Sequence, residues 1–352
     1  MDKPRILECT LRDGSYSINF QFTAEDTARI AAALETVGFD MIEIGHGMGL
    51  GASAKGLGVA AASDDEYMEA AADVLKTADW GMFCIPGIAT LEHVDNAAQH
   101  GMKFIRVGTQ ADEYLKAEAF IARAKSHGMY VCANFMKSYA ETPEDFARYA
   151  IEAEKFGADL VYIVDSAGGM FPDELARYVE AIREHTDSLQ LGFHGHHNLG
   201  MGVANSLRAV ELGVAVVDTS LQGLGRGAGN APTEQVLCAL IRQGIDMDID
   251  PIAVMDIGEK YVQPLINERG LSSVDVVSGL ALFHSAYMKT IERFATKYRV
   301  DPRRLIVAVT ERDKAEAPVE LVEEVAQELA AAGNEGCWKP IYAQYYGGEQ
   351  DR

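Results

Sequence analysis

Short β-rich runs alternate with longer amphipathic stretches through the first 245 residues, and this rhythm limits the fold more than any other property of the chain. Gly follows three of the amphipathic stretches, at positions 38, 157 and 213, where a helix must stop. Eight βα units within about 240 residues predict a (β/α)8 TIM barrel, with a doubly wound sheet as the alternative. The predicted strands are 5–9, 41–44, 81–84, 104–107, 130–133, 160–164, 189–193 and 215–219. The predicted helices between them are 24–37, 65–76, 91–100, 116–127, 143–156, 172–185 and 200–212.

After about residue 244 the strand signals stop, and helical patterns follow one another without strands between them. The helical stretches are predicted at 252–261, 278–298 and 318–332. This pattern divides the chain into a barrel domain over 1–245, a helical extension over 246–335 and a tail over 336–352. The tail carries Tyr342, Tyr345 and Tyr346, which would cover an apolar surface or a partner, or belong to a mobile end.

The composition excludes several classes of partner. The chain has 53 acidic and 31 basic residues, for a formal net charge of -22. Such a charge disfavours binding to nucleic acids or to anionic membranes. No signal peptide is evident at the start, and no apolar run approaches the roughly 18 residues of a membrane span. The five cysteines are scattered without C-x-x-C spacing, so a disulfide framework is not expected. We therefore expect a cytoplasmic protein.

A histidine-rich segment ends the seventh predicted strand. Its sequence from Phe193 reads F-H-G-H-H-N. Because strand side chains alternate between faces, His194 and His196 point the same way and His197 points away. Two imidazoles on one face at the carboxyl end of a strand are typical of a divalent-metal site, although a pair of hydrogen-bonded core histidines is the alternative.

Polar residues also follow the other predicted strands, where barrel enzymes carry their chemistry. After the first strand, Arg12 and Asp13 bring a cation and a carboxylate to the barrel mouth. Asp13 can supply an oxygen ligand to a metal held by His194 and His196. This ligand set favours Mg²⁺ or Mn²⁺, and also admits Co²⁺ or Zn²⁺. Arg12 would pair with a developing enolate or a substrate carboxylate, unless it only forms a local salt bridge with Asp13.

Two glycine-rich segments need separate interpretations. The turn over 223–232 reads G-L-G-R-G-A-G-N-A-P and fits a dinucleotide fingerprint only weakly, because it follows the eighth strand instead of the first. We interpret it as a backbone that lets Asn230 approach the metal site. The loop over 45–58 lacks the G-K-[ST] ending of a phosphate loop and is interpreted as a flexible lid.

Three motifs in this order resemble the signatures of the DRE-TIM metallolyase superfamily. They are T-L-R-D-G at 10–14, H-G-H-H-N at 194–198 and G-R-G-A-G-N-A-P at 225–232. Within the superfamily the chain is most similar to 4-hydroxy-2-oxovalerate aldolases, also called 4-hydroxy-2-oxoacid aldolases, from about residue 6 to residue 298. The resemblance implies aldol cleavage of a 4-hydroxy-2-oxoacid to pyruvate and an aldehyde through a metal-bound pyruvate enolate.

The resemblance also implies roles for individual residues. The metal ligands would be Asp13, His194 and His196, with Asn230 as a further one. Arg12 would hold the enolate and Ser166 the pyruvate carboxylate, and His194 is counted among the substrate contacts as well. A homo-oligomer with a small 2-oxoacid as substrate is expected, and the resemblance implies an aldehyde dehydrogenase as a possible partner.

Two departures from the aldolase pattern concern proton transfer and the aldehyde side. The aldolases carry a His two residues after R-D-G, as the general base, where this chain has Tyr16. A second segment, G-L-A-L-F-H at 279–284, has Leu280 where the relatives have Tyr and adds His284. A tyrosine with its ordinary pKa near 10 is protonated at neutral pH and is therefore less suited to act as the base. The candidates for the base are therefore His284 first, Tyr16 second and His46, after the second strand, third.

Other functions compete with the aldolase interpretation. An acyl-CoA-condensing synthase of the isopropylmalate or homocitrate synthase type is disfavoured because no long regulatory domain follows the barrel. A lyase acting on HMG-CoA is disfavoured because the glycine-rich turn has no Cys. A non-catalytic barrel subunit is a further alternative, since the base has changed. A Schiff-base aldolase using Lys137 would leave the metal ligands without a role.

Overall fold

A computed structural model describes residues 3–266 and 273–334. In that part of the chain, eight parallel strands close into a barrel in sequence order, each paired with the next and β8 paired with β1. The predicted (β/α)8 barrel is confirmed. The strands are β1 Arg5–Glu8, β2 Met41–Ile44, β3 Asp79–Cys84, β4 Phe104–Gln110, β5 Tyr130–Met136, β6 Leu160–Asp165, β7 Gln190–Gly195 and β8 Val216–Thr219.

A helix follows each strand and packs on the outside of the barrel. Helix α8 was predicted only as part of the eighth βα unit, without a range, and the other seven match predicted stretches. The helices are α1 Ala24–Thr36, α2 Asp64–Val74, α3 Leu91–Gln99, α4 Glu118–Ser126, α5 Pro143–Phe156, α6 Pro172–Arg183, α7 Gly202–Glu211 and α8 Thr233–Arg242.

Local sequence signals explain where these helices begin and end. At α5 the Thr142 side chain accepts a hydrogen bond from the Asp145 amide, and Pro143 occupies the first turn. Gly157 ends the helix in the left-handed region, with φ of 106°. A residue with a Cβ would be strained there, so the Gly stops the helix and turns the chain into β6.

Hydrophobic residues pack in two layers, one inside the barrel and one around it. Inside it lie Leu7, Met41, Phe104, Leu160 and Tyr162, all at most 1% exposed. Between the strands and the surrounding helices lies a larger core. Because this packing holds the strands rigidly, residues at their carboxyl ends are fixed relative to one another.

The extension contains α9 Pro251–Ile257, α10 Ser273–Ala281, α11 Met288–Tyr298, α12 Pro302–Thr310 and α13 Val319–Leu329. Residues from α10 to α13 form a hydrophobic core of their own, which includes Ile291, Phe294 and Leu305. In contrast, Val254 and Ile257 of α9 pack in the core of the barrel. The domain division proposed from the sequence stays a prediction.

The continuous helical stretch predicted at 278–298 is wrong. Helix α10 ends at Ala281, and Leu282 adopts a left-handed conformation with φ of 56°. His284 then accepts a hydrogen bond from the Ala286 amide with its side chain, so the chain turns before α11 begins. Helix α12 was also not predicted. The turn matters for function because it brings His284 and Ser285 to Arg226 of the glycine-rich turn.

None of the helices within residues 3–266 and 273–334 is long and apolar enough to cross a bilayer. The predicted tail, with its three tyrosines, lies outside the described residues.

Candidate metal centre

Three ligand side chains meet at the carboxyl end of the barrel. Ligand atoms of Asp13, His194 and His196 all lie within 4.8 Å of one another, and each residue is buried. His194 lies within β7, and His196 follows it and pairs with Asn230 in an isolated bridge. The two rings are 5.1 Å apart between centroids and nearly perpendicular. The predicted convergence of these residues is therefore present.

Hydrogen bonds fix the tautomer of each histidine. His194 Nδ1 lies 2.8 Å from Asp218 Oδ2, and His196 Nδ1 lies 3.2 Å from the Gly229 carbonyl oxygen. Because a carboxylate and a carbonyl only accept, both Nδ1 atoms carry the hydrogen and both Nε2 atoms keep a lone pair. Metal-binding histidines characteristically donate their second nitrogen to such acceptors.

Electrostatics keep Asp13 and His196 in their ligating protonation states. Burial alone would raise the pKa of Asp13, but the nearby Arg12, followed by the two histidines, holds that pKa well below its usual range. Burial and the neighbouring Arg226 lower the pKa of His196 to about 3. A carboxylate and neutral imidazoles are the forms that bind a divalent ion.

Asn230 completes the arrangement. Its Nδ2 donates to Asp13 Oδ2 across 2.8 Å, while its Oδ1 is buried without a hydrogen-bond partner. An unpaired buried amide oxygen costs free energy unless something binds it. The oxygen therefore fits the predicted role of a further oxygen donor to the ion.

A second group of candidate ligands, Cys9, His194 and Asp218, overlaps the first. Burial raises the pKa of Cys9 well above its ordinary value, so the side chain stays a thiol, and its sulfur donates to the Thr219 carbonyl. A thiol is a poor ligand. Asp218 is already bound to His194 and lies 2.6 Å from Arg106. We therefore assign Asp218 to orienting the histidine.

A buried ion-pair network orients Arg12. Its Nε donates to Glu43 Oε2 and its Nη1 donates to Asp13 Oδ1, at 2.8 and 2.6 Å. Arg106 donates to the same Glu43 oxygen, and its guanidinium lies over the ring of Tyr162, 4.2 Å from the centroid. The network holds the Arg12 guanidinium beside the metal ligands. Nothing in the sequence indicated that Glu43 and Arg106 would pair.

Ser166 and Lys137 lie together after β6 and β5. The Ser166 Oγ accepts a hydrogen bond of 3.0 Å from the Lys137 backbone amide. The Lys137 ammonium instead donates to the Tyr287 hydroxyl at 2.8 Å and pairs with Glu316 at 3.3 Å. It thus ties the barrel to the extension, which does not favour a Schiff-base role.

Tyr16 and His46 share an aromatic cluster built on Phe20. The His46 ring stacks on Phe20 with centroids 3.9 Å apart, and Tyr16 meets the same ring edge-on at 5.2 Å. His46 Nδ1 accepts from the Met48 amide, and its Nε2 lies 3.1 Å from the Gly58 carbonyl. These two hydrogen bonds lie within the 45–58 loop, and neither involves the metal ligands.

His284 is connected to the candidate metal centre through Arg226. Arg226 Nη2 lies 3.2 Å from His196 Nε2, and its Nη1 lies 3.0 Å from His284 Nδ1. Because Arg226 and the Ala286 amide both donate to Nδ1, the hydrogen of the neutral His284 ring is on Nε2. Burial and Arg226 lower the pKa of His284 well below its ordinary value. Arg226 was not among the predicted site residues; its only signal was a charged residue inside a glycine-rich turn.

The fold and this donor set define a (β/α)8 enzyme class with a divalent-metal centre at the barrel mouth. Comparison with known proteins makes the family explicit. The HMGL-like family model matches residues 3–260, and the chain belongs to this family.

The chain matches curated aldolases over most of their length. The chain is 39% identical over 326 residues to 4-hydroxy-2-oxovalerate aldolase 2 of Nocardia farcinica, covering 92% of this chain and 94% of the relative. It is 36% identical over 334 residues to 4-hydroxy-2-oxovalerate aldolase of Carboxydothermus hydrogenoformans, covering 95% and 99%. The predicted class, a metal-dependent carbon–carbon lyase of the aldolase type, is confirmed, and the acyl-CoA-condensing and non-catalytic alternatives are not favoured.

The fold is shared more widely. The carboxyl transferase domain of Rhizobium etli pyruvate carboxylase, in a structure with pyruvate, superposes with a TM-score of 0.77 at 17% identity. The match covers 96% of this chain and 63% of that one. At this identity the likeness concerns the fold.

Proposed function

We propose that the protein cleaves a 4-hydroxy-2-oxoacid to pyruvate and an aldehyde, with Mn²⁺ or Mg²⁺ held by Asp13, His194, His196 and the Asn230 amide oxygen. The observation that carries the proposal is the hydrogen bonding of both histidines. Each donates from Nδ1, to Asp218 or to the Gly229 carbonyl, so each keeps an Nε2 lone pair that can bind the ion. On His196 the ion would replace the hydrogen bond that Nε2 accepts from Arg226 Nη2. The bound ion would act as a Lewis acid on the 2-oxo group of the substrate.

Arg12 stabilises the negative charge that develops on the 2-oxo oxygen. Glu43 and Asp13 hold two edges of its guanidinium, and no residue in the described ranges accepts a hydrogen bond from its Nη2. A fixed donor that needs no reorganisation during the reaction stabilises such charge most effectively. The support is this fixed orientation beside the metal ligands.

Ser166 binds the carboxylate of the oxoacid half. Its Oγ accepts from the Lys137 amide, so its own hydroxyl hydrogen can be donated. Ser166 is 7% exposed, at the mouth of the barrel. A donor in this position would orient the carboxylate while the 2-oxo group faces Arg12.

The proton acceptor for the 4-hydroxyl group is His284, with Tyr16 and then His46 as alternatives. His284 is favoured because Arg226 connects it to His196, whereas Tyr16 and His46 pack on Phe20. Its Nδ1 already accepts N–H groups from Arg226 and from the Ala286 amide, so both must release this nitrogen before it takes a proton. The reaction thus requires a rearrangement of Arg226 when substrate binds.

The test is a pyruvate-release screen over 4-hydroxy-2-oxoacids, with EDTA and with added Mn²⁺. Cleavage that EDTA abolishes and Mn²⁺ restores is expected. His196→Ala should lose activity and bound metal together while its circular dichroism spectrum is retained. Full metal occupancy in that variant, measured by ICP-MS, would contradict the ligand assignment.

The homo-oligomer, the aldehyde dehydrogenase partner and the cytoplasmic location stay predictions.

A further inference from the structure

Arg226 is a buried cation that has no paired carboxylate among the residues that the structure describes. It is 8% exposed, and its guanidinium contacts His284 Nδ1, Ser285 Oγ, the Ser166 carbonyl and His196 Nε2. Within residues 3–266 and 273–334, no carboxylate oxygen lies within 4.0 Å of it. All four partners are uncharged in the states described above. A buried charge surrounded by neutral dipoles is normally completed by an opposite charge.

The other buried cations near the site have carboxylate partners. Arg12 is paired with Asp13 and Glu43, and Arg106 with Glu43 and Asp218. Arg226 therefore differs from them: Asp13 lies near enough for its pKa to be lowered by Arg226, but not within ion-pair distance, so the Arg226 guanidinium can pair with a ligand. Because an arginine fork matches the geometry of a carboxylate, a substrate carboxylate is the ligand that it fits.

The position of Arg226 indicates which part of the substrate it contacts. Its Nη1 faces His284 and Ser285, in the turn between α10 and α11. The turn overlaps the segment at 279–284, which departs from the aldolase pattern. That departure was associated above with the aldehyde side of the substrate. Arg12 and Ser166 already serve the oxoacid half in the proposed function. The oxoacid half therefore has its contacts without Arg226, and the Arg226 guanidinium can bind another part of the substrate.

We infer that Arg226, with Ser285, binds a second carboxylate on the aldehyde-derived half of the substrate, so that the preferred substrate is a 4-hydroxy-2-oxo dicarboxylate. This inference rests on the proposed function and specifies the substrate class of the same site. Arg226 acts in binding and specificity. The bond that breaks is still the one between C3 and C4, and the released aldehyde carries the second carboxylate.

The test uses two substrates that differ only at C5. These are 4-hydroxy-2-oxovalerate, which ends in a methyl group, and 4-hydroxy-2-oxoglutarate, which ends in a carboxylate. With Mn²⁺-loaded protein, kcat/KM for the dicarboxylate should exceed that for the methyl compound by about tenfold or more, the scale of a charge-assisted contact. Arg226→Gln should remove most of this ratio, and Arg226→Lys should keep part of it. Arg208→Gln, a surface change on α7, is the matched control and should keep the ratio.

Binding provides a readout that does not depend on cleavage. The compounds 2-oxoglutarate and 2-oxovalerate form the same pair without the 4-hydroxyl group, so neither can undergo the retro-aldol reaction. Calorimetric titration should show tighter binding of 2-oxoglutarate to the parent protein and loss of this preference in Arg226→Gln. Metal content measured in parallel should be equal in both proteins.

Two results would overturn the inference while leaving the proposed function intact. One is a parent protein that prefers the methyl compound, with the same ratio in Arg226→Gln. The other is an equal loss on both substrates, which would assign Arg226 to the carboxylate of the oxoacid half. Failure of the metal-loaded protein to cleave either compound would instead contradict the proposed function, and the titration would still decide the role of Arg226.

Discussion

His194 donates from Nδ1 to Asp218 Oδ2 across 2.8 Å, and Asp218 is itself paired with Arg106 at 2.6 Å. The carboxylate therefore fixes both the tautomer and the ring orientation of the histidine. Its pKa is lowered because Arg106, and then His194, outweigh the effect of burial, so it stays ionised. The candidate metal centre is thus oriented by a network that begins at β4 and reaches β7 through β8.

Asp218→Asn tests this relationship. The amide can present its NH₂ group to His194 Nδ1 and favour the tautomer with hydrogen on Nε2. We expect the Kd for Mn²⁺ to rise by about 10–100-fold, measured by calorimetry. Asp159→Asn is the control, because that carboxylate pairs with Lys125 on the surface. A Kd equal to that of the parent, in a folded variant, would show that the tautomer does not depend on Asp218.

Arg12→Lys tests the stabilisation of the developing charge. Lysine keeps the positive charge but cannot contact Glu43 and Asp13 together while also presenting a third edge. We expect the turnover number to fall by at least about tenfold, while the metal content stays that of the parent. Steady-state kinetics with ICP-MS would check this. An unchanged turnover number with a raised Michaelis constant would limit Arg12 to substrate binding.

Metal removal and amine trapping should give opposite results. The Lys137 ammonium is engaged by Tyr287 and Glu316, and burial lowers its pKa even though Glu316 opposes the change. EDTA should abolish cleavage, and borohydride with pyruvate should leave no mass adduct. A pyruvyl adduct on Lys137 in the mass spectrum would reverse the ranking of metal over Schiff base.

The pH dependence of stability should depend on His46. This residue is 0% exposed, and burial lowers its pKa to about 4, although the Gly58 carbonyl raises it. In the unfolded chain the pKa is about 6.5, so unfolded protein binds more protons between pH 6.5 and 4. The contribution of neutral His46 is complete above pH 6.5 and is lost as the pH falls towards 4.

Urea unfolding at pH 7 and pH 5 measures this effect. The free energy of unfolding should fall by about 1–2 kcal/mol more in the parent than in His46→Gln over this interval. The exposed His185 supplies the control, His185→Gln, which should follow the parent. Equal pH dependence in the parent and His46→Gln would mean that folding does not lower the pKa of His46.

The sequence predicted the barrel and the convergence of Asp13, His194 and His196, because both follow from the order and alternation of the strands. Strand alternation puts His194 and His196 on one face, and parallel strands bring Asp13 to the same edge. Arg226 was missed because its role depends on a long-range contact with His284, 58 residues away. The break at Leu282 was missed because a left-handed leucine has no sequence signal comparable to Gly.

The last prediction concerns the proton acceptor for the 4-hydroxyl group. His284 reaches the candidate metal centre through Arg226, and Tyr16 occupies the position of the base expected from the relatives. Losing the base should slow cleavage by about 10²–10⁴-fold, because abstraction of this proton starts the retro-aldol step. Exchange of the methyl protons of pyruvate with solvent does not require that step. We therefore expect His284→Ala to lose cleavage and to retain exchange, measured by NMR in D₂O, while Tyr16→Phe retains both.

Metal content is the control for this prediction, and it should equal that of the parent in both variants. If His284→Ala cleaves at the parent rate and Tyr16→Phe does not, Tyr16 is the base, and the contact between Arg226 and His284 serves binding alone.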